Sequence, residues 1–139
     1  MAELRECPCG SGKSFTDCCS RYLAGIEPAP TAEALMRSRY TAYTLHNEDY
    51  LLVTWHASTR PSALGLQDEA PTKWLGLEVK RHEQQDADHA IVEFVARYKV
   101  NGRAFRLHEV SRFVREAGRW CYVDGVVNDG AVGKSAASR

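Results

Sequence analysis

Four of the five cysteines in this chain fall within thirteen residues, as Cys7, Cys9, Cys18 and Cys19. The residues between them are small, charged or turn-forming, and Pro8, Gly10, Ser11 and Gly12 leave no apolar surface from which to build a core. A segment so short and polar cannot bury enough hydrophobic area to offset its own ordering entropy. Four thiolates converging on one Zn2+ would hold it, because structural zinc is tetrahedral, can be closed by four sulfurs, and binds with what is in effect folding energy. Disulfides fit the pattern less well. No apolar run after Met1 marks the chain for export, and clustered cysteines in a reducing cytosol are metal ligands more often than bridges. Cys18 and Cys19 are adjacent and could form only a strained vicinal bridge, while Cys7 and Cys9 have one intervening residue where a thioredoxin-type pair has two.

The loop between the ligand pairs suits this reading. Pro8 restricts the backbone between the first two cysteines, and Gly10 and Gly12 can take the positive φ values that turn amides toward sulfur. Phe15 is the one sizeable apolar residue there and is expected to pack beside the metal site or against the main domain. The stretch Cys-Pro-Cys-Gly-Ser-Gly-Lys-Ser-Phe-Thr-Asp-Cys-Cys, residues 7–19, closely resembles the SEC-C motif, the zinc module named for the C-terminus of the SecA translocase motor. This chain departs from the motif's frequent flanking lysines, with Ser14 before Phe15 and Asp17 after Thr16. Arg5, Lys13 and Arg21 are balanced by Glu3, Glu6 and Asp17. The module is therefore neutral before the thiolates are added, which disfavours phosphate binding.

The zinc module is expected over residues 1–26, a stiff linker over 27–30, one α+β domain over 31–127 and a disordered tail over 128–139. Eighteen basic and eighteen acidic side chains cancel, so the net charge carries no footprint of a nucleic-acid binder. No apolar run approaches the length of a membrane span. Thr31 caps a predicted helix whose apolar face is Ala32, Met36, Tyr40 and Tyr43, with Arg37, Ser38 and Arg39 on its sides or back. A turn at 46–49 precedes a second short helix from Tyr50 to about Thr54, and residues 55–73 read as loop.

From Trp74 the period changes to two. Leu75, Leu77 and Val79 form one row, and Ala90, Val92, Phe94, Ala96, Tyr98 and Val100 form the face of a long strand. Asn101-Gly102 signals a type I′ hairpin. A strand over about 103–115, a turn at 116–118 and a last strand over about 119–127 follow, the last with Trp120, Tyr122, Asp124 and Val126 on one face and Cys121 on the other. Helices first and an antiparallel meander after them predict helices packed across a curved sheet.

The strand 103–115 breaks its own pattern. Phe105, Leu107 and Phe113 mark the buried face, and Glu109 and Ser111 share it. A buried carboxylate must be paired or protonated. The expected partner is Arg60, with Arg39 or Arg37 as alternatives. Trp55, His56 and Arg60, from the segment Thr-Trp-His-Ala-Ser-Thr-Arg-Pro at 54–61, would rim a cavity floored by Glu109 and Ser111. Each histidine taken alone reads better as a surface residue, and nothing around Ser111 resembles a nucleophile elbow.

Residues 34–43, 54–61, 108–113 and 118–125, together with the cysteine module, make the chain similar to the YchJ-type bacterial proteins. The resemblance implies a nuclear transport factor 2-like body, a cone of helices over a strongly bent sheet. The SEC-C likeness implies a protein partner. The expected function is that of a non-catalytic cytoplasmic zinc protein, an interaction module joined to a cavity-bearing domain. A small molecule in the cavity is a possible ligand and nucleic acid is not an expected partner. The alternative is an enzyme using Glu109 or His56 as acid or base on such a molecule.

Overall fold

A computed structural model describes residues 6–25, 27–64 and 72–127. The described elements are α1 (Cys19–Leu23), α2 (Ala32–Thr44), α3 (Glu48–Val53), β1 (Thr72–Asp86), β2 (His89–Val100), β3 (Arg103–Glu116) and β4 (Arg119–Val127). The expected tail at 128–139 lies outside the described residues. Thr31 caps α2 as its sequence predicts, its hydroxyl accepting from the Ala34 amide at 3.0 Å. Asn47 caps α3 through its side-chain oxygen, 3.1 Å from the Tyr50 amide, so that helix begins at Glu48, two residues before the expected start. Acidic Glu48 and Asp49 then occupy its first turn, where the helix dipole favours them.

The four strands form one antiparallel sheet in chain order, β1-β2-β3-β4. Two hairpins are closed by residue pairs that both hold positive φ, Asn101 (52°) with Gly102 (81°) and Ala117 (53°) with Gly118 (78°). That is the backbone a type I′ turn requires. Ala90, Val92, Phe94 and Ala96 on β2, and Leu107, Glu109, Ser111 and Phe113 on β3, form the buried face the alternation predicts.

Bulges correct two of the expected rows. Between Trp74 and Gly76 the β1–β2 register slips by one, so Leu75 is the extra residue and is exposed, while Trp74, Leu77 and Val79 oppose Tyr98, Ala96 and Phe94. Between Arg112 and Phe113 the register against β4 slips at Val123. Trp120 and Tyr122 stay buried, but Asp124 moves to the outer face opposite Arg112, and Val126 becomes exposed. Strict alternation cannot see an inserted residue, which swaps the faces of everything beyond it.

Helix α2 corrects a third expectation. Arg39, Ser38 and Thr41 are buried alongside Leu35, Met36 and Tyr40, so the helix has no free back. It lies between the cysteine module and the sheet, packed on α1, α3, β1, β2 and β4. The four cysteines belong to the same buried cluster as Leu35, Met36, Phe94 and Phe113. Ala29, in the stretch expected to be a stiff linker, is buried with them.

Candidate metal centre and the polar core beside it

The backbone brings the four cysteines together as their spacing suggests. A tight turn returns the Gly10 amide to the Cys7 carbonyl, the Cys7 amide binds the Lys13 carbonyl, and Glu6 bridges to Ser14. Gly10 (φ 81°) and Gly12 (φ 87°) turn the chain, and Cys18 and Cys19 follow at the start of α1. All four sulfurs lie within 4.8 Å of one another, are buried and are unbridged. Cys9 and Cys18 sulfurs are 3.7 Å apart, and those of Cys18 and Cys19 are 3.9 Å apart. A tetrahedral metal–thiolate centre with bonds of about 2.3 Å has edges of about 3.8 Å, so the donor set fits a metal ion. Without one, neighbouring thiols hydrogen-bond to Cys7 and push it far below the ordinary thiol range, while Cys19 moves far above it. Four charges this close need a cation.

Helix α2 supports the centre from the body. The Thr41 hydroxyl donates to the Cys19 sulfur at 3.5 Å and lies 3.8 Å from that of Cys7. Arg37 donates to the Cys9 carbonyl at 2.8 Å and to Glu33 at 3.0 Å. Burial works against the Arg37 charge, but Glu33 and the Cys9 thiolate outweigh it and raise its pKa. Ser11 lies 3.2 Å from the Cys18 sulfur. Phe15 packs partly buried against the cluster, as expected.

One turn away, on the sheet side of α2, lies a second buried polar group. The Arg39 guanidinium stacks over Tyr122 at 4.5 Å and over Trp55 at 5.0 Å, and donates to the Leu51 carbonyl and the Thr54 hydroxyl at 2.8 and 2.7 Å. Glu109, 2% exposed, accepts from Ser111 at 2.7 Å and Tyr122 at 3.3 Å, both at Oε2. Burial raises its pKa, and the two donors and the charge of Arg39 hold the rise in check. Burial likewise lowers Arg39 and raises Tyr122. Gly125 makes room for this carboxylate: a Cβ there would overlap Glu109 at Oε2.

Arg60 does not reach Glu109. It is exposed and donates to the Trp55 carbonyl at 3.0 Å, being tied to its own loop. The basic residue facing Glu109 is Arg39, and no ion pair within 4.0 Å joins them among the described residues. Arg39 lies three residues after Met36 and four before Tyr43, so α2 carries it on the stripe that faces the sheet. Glu109 and Ser111 do line a cavity, of about 40 Å3, with Arg39, Tyr40, Trp74 and Tyr122. Trp55 is buried behind Arg39 and pairs as an isolated parallel bridge with Tyr122, outside that lining. His56 faces outward, 2.8 Å from Glu116 and 2.7 Å from Ser58. A second, larger cleft of about 680 Å3 runs along the seam between module and body, past Tyr22, Pro28, Tyr50, Val53, Trp120 and Cys121.

A helix-covered antiparallel sheet with a buried four-cysteine centre at its N-terminal end defines the class: a SEC-C-type module on a nuclear transport factor 2-like body. Residues 31–125 match the family described as YchJ, middle NTF2-like domain. A UPF0225 protein of Chromobacterium violaceum is 61% identical over 126 residues, covering 87% of this chain and 92% of the relative. One from Ralstonia nicotianae is 58% identical over 134 residues, covering 89% and 92%. The solution structure of a SEC-C motif containing protein from Rhodopseudomonas palustris is 35% identical with a TM-score of 0.77, covering 86% of this chain and 96% of that one. A crystal structure of a SEC-C motif containing protein from Psychrobacter arcticus gives 30% identity and a TM-score of 0.72, covering 87% and 81%. The chain belongs to the YchJ family.

Proposed function

We propose that this protein is a non-catalytic, cytoplasmic zinc protein whose cysteine module and body together hold a protein partner. The observation that carries the reading is the set of four buried sulfurs at tetrahedral spacing. A metal closed by four thiolates keeps no position for substrate or water, which makes it a structural centre, and all-sulfur donors in that geometry favour zinc over hard cations. Free cysteines fit a reducing compartment. No described helix is long and apolar enough to cross a membrane.

The cavity at Glu109 gives the rival enzyme reading little room. A volume of about 40 Å3 suits one or two waters rather than a substrate. His56 is engaged with Glu116 at the surface, on a different part of the molecule from that lining. The cleft along the seam is the larger concavity, and exposed Val53 sits on it. A partner segment seated there would touch α1, α3 and β4 at once.

Two measurements test the proposal. Metal analysis of freshly purified protein is expected to give one zinc per chain, and none in the double variant Cys18→Ser/Cys19→Ser. A photo-cross-linking amino acid at position 53 is expected to trap one discrete partner in cells, and the same probe at Glu83, on the far face of β1, none. Zinc-free protein with an ordered module overturns the metal assignment. Equal trapping at both positions, or none at either, overturns the docking assignment.

A further inference from the structure

We infer that the β2–β3 hairpin end of the sheet binds single-stranded nucleic acid. The chain has no net charge, and part of its surface charge is matched. Arg81 pairs with Glu93, Arg112 with Asp124, Arg37 with Glu33, and Lys80 with Glu78. Lys13, Arg60 and Arg119 stand apart without an ion pair among the described residues, but the strand register gathers four other such cations in one place. Lys73 lies directly opposite Lys99, and Arg97 directly opposite Arg106, in two neighbouring rows across β1, β2 and β3. All four are exposed, and among the described residues none has a carboxylate within 4.0 Å. Like charges set opposite each other across strands destabilise a sheet. Two such pairs side by side make a surface that an anion would relieve.

An aromatic ladder ends at the same hairpin. Trp74, Tyr98 and Phe105 follow one another at ring separations of 5.2 and 5.3 Å, the last two stacked with their planes nearly parallel at 14°. Phe105 is 41% exposed, and the Arg103 guanidinium stands 5.9 Å from its ring. The cations occupy the outer face and Phe105 the inner one, all within four strand rows of the Asn101-Gly102 turn. A flexible single strand can bend over that turn, setting phosphates against the cations and a base on the ring. A rigid duplex cannot. Cationic grooves with aromatic platforms are the recurring chemistry of sequence-tolerant single-strand binding. Net charge hides such a site, because it depends on where the charges are brought together.

The test is fluorescence anisotropy on the full chain with fluorescein-labelled 20-nucleotide oligo(U) and oligo(dT), in 50 and 200 mM KCl. Contact with four phosphates of a single strand predicts a loss of affinity of about 50-fold between the two salts. Arg97→Glu/Arg106→Glu is expected to remove binding at 50 mM. Phe105→Ala is expected to weaken it at least about fivefold with the salt slope unchanged, and near-UV circular dichroism checks that both variants are folded. Tighter binding of oligo(U) assigns the site to RNA, and equal binding assigns it to backbone and stacking alone; both support the inference. It is overturned if neither oligonucleotide binds at 50 mM, or if the charge-reversal variant binds like the parent. It is also overturned if polyglutamate competes as well as unlabelled oligo(U), or a 20-base-pair duplex binds as tightly as the single strands. Asp68 and Glu69 precede β1 and lie outside the described residues. Binding seen only in Asp68→Asn/Glu69→Gln assigns the patch to the chain's own acidic segment and likewise overturns the inference.

Discussion

The two buried polar centres on either side of α2 solve the same problem by opposite means. On the module side, four sulfurs stand so close that only a shared cation makes their charges tolerable. On the sheet side, Arg39 and Glu109 are both nearly inaccessible yet make no direct ion pair. Each is met by its own neutral neighbours: ring faces, a carbonyl and a hydroxyl for the guanidinium, two hydroxyls for the carboxylate. The first centre has the donor set for a metal ion, which could be removed. The second is made wholly of the polypeptide, and its charges are cushioned by hydrogen bonds and polarisable rings instead of by each other.

The largest expected effect is loss of the metal. Structural zinc in small modules contributes on the order of 10 kcal/mol of binding free energy that is spent on folding. Chelation, or Cys18→Ser/Cys19→Ser, is expected to abolish hydrogen-exchange protection over residues 6–25. Because Thr41 and Arg37 anchor the module to α2, melting of the body should shift downward as well. A body whose melting temperature is unmoved would mean that the two centres are independent despite their common helix, and that a protein beginning at Thr31 folds alone.

Next in size is Gly125→Ala, which drives a methyl group into the Glu109 carboxylate. Overpacking of this kind costs about 1–3 kcal/mol, read as a lower denaturation midpoint. Adding Glu109→Ala should recover part of that loss, since the two groups compete for one space. Additive losses would show that the clash is relieved elsewhere. Thr41→Val comes third. It keeps the shape but removes the hydroxyl beside the Cys7 and Cys19 sulfurs. A competition titration with a chelator should show metal affinity about 10- to 100-fold weaker, the usual effect of losing an outer-shell partner, with the sheet-side centre untouched.

The smallest expected effect is a slope with pH. Burial raises the Glu109 pKa, so the folded state holds this proton more tightly than the unfolded chain. Its contribution to stability is therefore fully present below the unfolded carboxyl value and declines as pH rises toward the folded one. Glu109→Gln keeps an acceptor for Ser111 and Tyr122 but cannot ionise. Its stability relative to the parent should improve as pH climbs through that window. A constant difference would place the carboxylate in a less hostile setting than its neighbours suggest.

Much of this was legible in the sequence, for reasons tied to particular residues. The cysteine spacing announced a cluster of sulfurs suited to a metal, because almost nothing else orders such a segment. Glu109 and Ser111 stood out because alternation on one strand is a local property. The choice among Arg60, Arg39 and Arg37 as the basic residue facing Glu109 is tertiary: Arg60 is nearer to aromatic and polar neighbours in sequence, but Arg39 is the one that α2 carries onto the sheet. Leu75, Asp124 and Val126 were misplaced for a third reason. A bulge leaves no mark in a hydrophobic pattern, yet it exchanges the two faces of every residue beyond it.

The bridge between Trp55 and Tyr122 has a consequence for how the protein behaves when crowded. As the last strand of an open meander, β4 would present a row of unpaired amides and carbonyls to any other extended chain. The segment after α3 occupies the middle of that row: Thr54 accepts from the Tyr122 amide, His56 donates to the Tyr122 carbonyl, and Thr59 caps the Val123 carbonyl at 2.6 Å. On the opposite border, β1 is broken by three register shifts and studded with Lys80, Arg81 and Glu83. Both borders thus resist the edge-to-edge stacking of like molecules, one by being roofed and the other by being too uneven and too charged to copy. A fold made of long strands can remain dispersed on those terms.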